Sequence, residues 1–258
     1  MLLQFDVARG CSTGEPYRDP RGGEGAVAGG WYVLVKGPLD FLAACCMLVP
    51  AVPLVLLAAL LVKLTSRGPV FYLQTRVGHR GRPYRIIKIR TMYHNCEQHS
   101  GPRWSTAGDP RITPVGRFLR ASHLDELPQL WNVLRGEMSL VGPRPERPEF
   151  VPQLEQCVPH YRRRLLVRPG VTGLAQVQLP ADSDMESVRR KLAYDLYYVR
   201  EQGLWLDLRI ILSTTLKVFG VSFPALRKIF LMPSGEVVEN NYRELPPQAE
   251  ALAQPQPA

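Results

Sequence analysis

Between Phe41 and Val62 the chain carries no charged residue: FLAACCMLVPAVPLVLLAALLV. A helix needs about 20 residues to span a bilayer, so the stretch is long enough. Pro50 and Pro53 fall near its middle, where each removes a backbone donor and disfavours helix in the residue before it. Basic residues flank both ends, Lys36 before and Lys63 and Arg67 after, so positive charge assigns no direction of crossing. A helix that enters a membrane, bends at the prolines and returns to the same side satisfies both observations. A kinked single span is the competing reading. A buried core helix fits less well, because a small domain rarely covers so long an apolar segment.

The 258 residues allow one catalytic domain of about 150–200 residues beside this element and its tails. Cys11, Cys45, Cys46, Cys96 and Cys157 form no CxxC pair and leave one over, so neither a disulfide framework nor a zinc site is indicated. That usage points to a reducing compartment. The net charge of +9 is concentrated between Lys63 and Arg120, where Glu97 and Asp109 are the only acids. Such a block attracts phosphate esters, anionic head groups or nucleic acid, or is a solvated basic face. The neighbouring apolar stretch favours lipid and phosphate, and no nucleic-acid motif is present.

The expected organisation is a disordered leader over 1–30, a membrane element over 31–66, a catalytic domain over 67–225 and an extension over 226–258, disordered from about 242. The leader lacks the pattern of a signal peptide. Short strands are predicted after Gly68-Pro69 and over Tyr84–Ile89, with a turn at Gly78–Gly81 between them. A helix follows Pro114, and another runs over Leu127–Leu134 with Pro128 in its first turn and Gly136 as its cap. Val167–Gly173 reads as a loop, Ser187–Arg200 as an amphipathic helix, and Leu204–Phe219 as an apolar helix lying in a membrane interface or in the core. The fold class is therefore α/β and helix-rich.

Asp125 and Glu126 stand side by side ahead of Pro128. At a helix entrance both carboxylates can converge, one as a ligand for Mg²⁺ and the other as a nucleophile on phosphorus. Acids in a first helical turn also complement the helix dipole, which is the ordinary reading of such a pair. Arg144 is held between Pro143 and Pro145, and its planar fork suits phosphate. Arg120 can reach the same cleft. Lys88 and Arg90 alternate along the second strand and can neutralise a diphosphate, or else face water. His123 is expected to pack or donate a structural hydrogen bond, and Asp195 to form a supporting salt bridge or face solvent. No Walker loop or GxGxxG is present.

The ordered set Lys36-x-x-x-Asp40, GPVFYLQTRVG, IKIRTM, DPRITPVGRFLR, HLDELPQLWNVLRGEMSLVGPRP, RPGVTGLAQV and DLYYV resembles the bacterial sugar transferases, the monotopic phosphoglycosyl transferases. The likeness covers about Trp31 to Phe219 and is closest to the short form. It implies transfer of a sugar 1-phosphate from a UDP-sugar to membrane polyprenyl phosphate through a phosphosugar on Asp125, starting polysaccharide or glycoconjugate assembly. It further implies Mg²⁺ on Glu126 with Asp125, phosphate or nucleotide contacts from Lys88, Arg120 and Arg144, and a weaker substrate role for Asp195. Membrane lipids would surround the re-entrant helix at the cytoplasmic face of the bacterial inner membrane, and a homo-oligomer is left open. Val52 stands where many members have serine before the proline, and Gly37 where a basic residue often follows the lysine. A magnesium-dependent transferase without a covalent aspartate and a silent scaffold of an assembly complex are the alternatives.

Overall fold

The computed structural model describes residues 30–98, 101, 108–180 and 184–245. The expected leader up to residue 29 and the tail beyond residue 245 lie outside the described residues.

Helix α1 (Gly30–Thr65) contains the whole apolar stretch. It continues as one helical element through Pro38, Pro50 and Pro53, so the break expected at the last two is not an unwound segment. A proline removes one hydrogen bond of the helix without requiring its neighbours to leave helical geometry. Ala44, Ala51 and Ala58 recur at every seventh residue and are all buried, so a stripe of small side chains lets the helix lie close against the domain. Most of the rest is exposed and apolar, including Leu34, Val49, Leu56, Leu57 and Leu60. Only 17% of its most apolar window is buried, which is far too little for the core helix of a soluble domain.

Strands β1 (Phe71–Val77) and β2 (Pro83–Ile89) pair antiparallel around a tight turn at His79–Gly81, with Phe71 opposite Ile89. Helix α2 (Pro114–Ala121), a 3₁₀ turn over Leu124–Glu126 and helix α3 (Gln129–Leu134) follow. Thr113 caps α2 by accepting a hydrogen bond from the Gly116 amide. Strand β3 (Ser139–Val141) leads to helix α4 (Val151–Cys157) and a 3₁₀ stretch over Tyr161–Leu166. The loop expected over Val167–Gly173 contains strand β4 (Gly170–Thr172), parallel to β3 with Ser139 opposite Gly170. Three residues are too few to show an alternation, so the pairing partner defines this strand rather than its own pattern.

The C-terminal part comprises α5 (Leu174–Gln178), α6 (Met185–Glu201), α7 (Leu204–Val218), α8 (Phe223–Ile229) and α9 (Gly235–Arg243). The main core joins Ala44 and Ala51 of α1 to Ile86, Leu130, Leu140, Val141, Tyr198 and Ile210. Val238 of α9 belongs to the same core, so the packed fold continues past residue 225. Helix α7 buries Ile210 in the core beside Asp207 and Ser213, while Trp205, Leu208 and Leu212 are exposed. One stripe of the helix is therefore packed and another is apolar and open.

Candidate active site

His123 adopts a left-handed backbone (φ 56°) immediately after α2. This reversal separates α2 from the next helix and places Asp125 and Glu126 on the 3₁₀ turn that leads into α3. The two carboxylates, adjacent in sequence, meet opposite surroundings.

Glu126 is clamped. Lys88 Nζ and Arg144 Nη2 both lie 2.6 Å from its Oε1, and Arg144 Nη1 lies 3.4 Å from Oε2. Burial works to raise the pKa of Glu126, but Arg144 and Lys88 overcome it and hold the carboxyl well below its usual range. Asp125 is buried, and among the described residues no group donates a hydrogen bond to its carboxylate. Burial, followed by the charge of Glu126, pushes its pKa up to about 6, against the pull of Lys88, Arg120 and Arg144. The dyad thus consists of one firmly ionised, immobilised carboxylate and one unengaged carboxylate that titrates near neutrality.

Arg144 is positioned by a tight crossing of two loops. The Gly170 amide donates to the Pro143 carbonyl and the Gly142 amide to the Thr172 carbonyl, each at 2.9 Å. A Cβ at Gly170 would lie 2.1 Å from the Gly142 nitrogen, and one at Gly142 would lie 2.4 Å from the Arg168 carbonyl oxygen. Only glycine permits this approach. Pro143 and Pro145 are buried, and the Pro145 carbonyl accepts a hydrogen bond from Arg76 Nη1 at 3.2 Å. Behind the loop, Arg164 Nη2 donates to the Arg144 carbonyl at 2.7 Å and pairs with Asp195 at 2.7 Å.

The structure therefore gathers Asp125, Glu126, Lys88 and Arg144, with Arg120 close enough for its charge to act on Asp125. Arg120 Nε also donates to Thr91 Oγ1 at 2.8 Å. Arg90 is placed elsewhere. Strand β2 ends at Ile89, so Arg90 lies beyond it, and its guanidinium donates to the Ser66 and Arg67 carbonyls at the end of α1. Asp195 is buried on α6 as the counter-ion of Arg164, the supporting salt bridge expected of it, and Arg164 in turn holds the Arg144 carbonyl.

A cleft of about 730 Å³ opens beside the dyad, walled by Glu126, Arg144, His123 and Lys217 among others, while Asp125 is not part of its wall. Lys217 carried little signal in the sequence, because a cation in the last turn of a helix ordinarily complements the dipole. Among the described residues no cluster of three or more His, Cys, Asp or Glu is arranged for a metal. A hard cation here would accordingly take its ligands from the two carboxylates and from substrate oxygens, a donor set that suits Mg²⁺. Glu126 Oε2, with a single long contact, is the oxygen left for it.

Glu126 clamped by lysine and arginine, with Asp125 beside it, is an arrangement that can bind phosphate, and α1 is long and apolar enough to cross a membrane. The bacterial sugar transferase profile matches residues 31–221, and the chain belongs to that family. The chain is 45% identical over 183 residues to the UDP-N-acetylgalactosamine-undecaprenyl-phosphate N-acetylgalactosaminephosphotransferase of Aeromonas hydrophila, covering 71% of this chain and 43% of that protein. It is 46% identical over 185 residues to a UDP-glucose:undecaprenyl-phosphate glucose-1-phosphate transferase of Caulobacter vibrioides, covering 70% and 68%. A protein of the same name from Xanthomonas campestris is 41% identical over 192 residues, covering 74% and 40%. The chain thus spans less than half the length of two of these relatives.

Proposed function

We propose that the protein transfers a sugar 1-phosphate from a UDP-sugar to membrane polyprenyl phosphate through a phosphosugar covalently held on Asp125. The observation that carries this reading is the division of labour in the dyad: Glu126 is fixed by two cations while Asp125 has no hydrogen-bond donor among the described residues. A carboxylate oxygen of Asp125 attacks the sugar-linked phosphorus, and the bond from that phosphorus to the bridging oxygen breaks, releasing UMP. An oxygen of the polyprenyl phosphate then attacks the same phosphorus and frees Asp125. Arg144 and Lys88 lie where they can neutralise the phosphoryl oxygens, which is most of what phosphoryl transfer asks of a protein. Mg²⁺ held by Glu126 and Asp125 would supply Lewis-acid stabilisation of the donor diphosphate.

A re-entrant seating of α1 at the cytoplasmic face of the inner membrane completes the reading. Its first turns are tied to α7 by Lys36 and Tyr32, and its last turns pack on Ile89 and Leu119. Both ends are therefore held by one globular body. The decisive experiment measures Mg²⁺-dependent UMP release from a panel of UDP-sugars by nanodisc-held protein, beside Asp125→Asn. Release with one donor and its loss in the variant are expected. Appreciable transfer by the variant would rule out the covalent aspartate.

A further inference from the structure

Lys217 reaches the cleft from α7. Its Nζ donates to the Gln176 carbonyl at 2.7 Å and lies 4.9 Å from the Phe223 ring centroid. An ammonium has three donors, so two remain without a partner among the described residues. Burial lowers the pKa of Lys217, with Arg144 acting in the same sense and Glu126 against it, so the ammonium lies within electrostatic range of the clamp. The remaining wall is mixed: Leu130, Leu140, Val177, Ile211, Phe219 and, from α1, Met47 are apolar, while Thr172, Gln176, Thr214 and Thr215 are polar. Phe219 is 78% exposed and continues the apolar outer face of α7.

A nucleotide offers hydrogen-bonding groups along its base and ribose, which the apolar part of this wall would leave unpaired. A prenyl chain offers none and gains by leaving water. A phosphate joined to a hydrocarbon tail matches a cleft that holds both cations and apolar side chains, with Met47 of the apolar helix α1 among them.

We propose that this cleft is the acceptor subsite, in which Lys217 and Arg144 hold the phosphate of polyprenyl phosphate and the apolar walls hold its first isoprene units. The inference rests on the transfer reaction proposed above. The acceptor phosphate enters as a dianion, and one of its oxygens attacks the phosphorus of the phosphosugar on Asp125. The bond between phosphorus and the aspartate oxygen breaks, its electron pair returns to the carboxylate, and a diphosphate linkage forms without proton transfer. Lys217 makes and breaks no bond; it binds.

The test separates the two half-reactions with full-length protein in nanodiscs. UMP released without acceptor reports the first, and titration with undecaprenyl phosphate reports the second. Lys217→Gln is expected to raise the KM for undecaprenyl phosphate about tenfold, as loss of a charge-assisted contact does, with donor KM changed far less. Lys217→Arg should recover most of the loss. Ile211→Trp, which fills the cleft without touching a charge, should also raise acceptor KM, and it decides the matter should Lys217→Gln fail to fold. A merely structural lysine would lower the melting temperature and shift both KM values together, overturning the subsite. A rise in donor KM alone would assign the cleft to the nucleotide and overturn it too. Absence of UMP release from wild-type protein would instead overturn the transfer reaction itself, and the subsite with it.

Discussion

Asp125 and Glu126 are neighbours in sequence with opposite effects on stability. The folded pKa of Asp125, near 6, lies above its ordinary value of 3.8, so the native state binds the extra proton between these values. Stability in metal-free protein must then fall as pH rises from about 4 to about 6, because the unfolded chain releases that proton first. Asp125→Asn removes the buried charge, and it should abolish transfer while raising stability by roughly 2 kcal/mol, the scale of a pKa displaced by about that many units and discounted for screening. Urea unfolding with EDTA at pH 7.5 checks this, and a less stable variant would show that the buried charge is not the burden inferred here. Glu126 behaves in the reverse way. Its depressed pKa contributes stability that is present above the ordinary carboxylate value and lost as pH falls through the folded one. Glu126→Gln leaves Lys88 without its counter-ion in a largely buried site and should cost about 3 kcal/mol. It should also weaken the Mg²⁺ requirement, and an unchanged metal titration would count against its role as ligand.

At the scale of elements, the start of α1 is joined to α6 and α7 by a buried polar knot around Asp207. Tyr32 Oη donates to Asp207 Oδ2 at 2.6 Å, Lys36 binds the same oxygen, and Tyr198 Oη donates to Oδ1 at 2.8 Å. Asp40 adds a link to β3, its Oδ1 accepting from the Leu140 amide at 3.3 Å. Asp207→Asn leaves Lys36 without a full counter-charge in this pocket and should destabilise the fold by about 3 kcal/mol, as breaking a buried ion pair does. Hydrogen exchange should rise first over residues 32–40, and exchange unchanged there would mean that apolar packing alone seats the helix. The sequence made Lys36 and Asp40 visible as a spaced pair but not their partner, which lies 171 positions away from Lys36 inside an apolar run. Long elements were legible for the same reason that distant partners were not. Helices α1, α6 and α7 carry enough residues to display length or periodicity, whereas α5 and β4 are defined by what they pack on. In the site, Arg144 was marked by its flanking prolines and the dyad by its place before Pro128. Arg90 was misplaced because its spacing from Lys88 does not reveal that the Ser66 and Arg67 carbonyls, more than twenty positions away, take its guanidinium.

At the scale of the molecule, the exposed apolar residues include the outer face of α1 and the row Trp205, Leu208, Leu212 and Phe219 on and after α7. Both lie on elements that also wall the cleft, through Met47 and Phe219, so hydrocarbon contact and phosphate chemistry share one part of the structure. A spanning helix must leave the globular body for about 30 Å of hydrocarbon. Helix α1, about 54 Å long if straight, instead returns buried residues to the domain at Tyr32, Ala44, Ala51, Ala58 and Val62. Under the re-entrant seating proposed above, docking of this kind rather than Pro50 and Pro53 would set the topology. In protein whose native cysteines are replaced, Gly30→Cys and Arg67→Cys should both react with an impermeant maleimide from the cytoplasmic side of sealed vesicles. Replacing both prolines with alanine should leave that pattern unchanged, because the knot at Asp207 and the packing at Val62 still hold the two ends. Adding Asp207→Asn to the double replacement frees one end, and a fraction of the Gly30→Cys label should then become reachable only from the opposite side. Label reversal on proline replacement alone would transfer control of the topology from docking to the prolines.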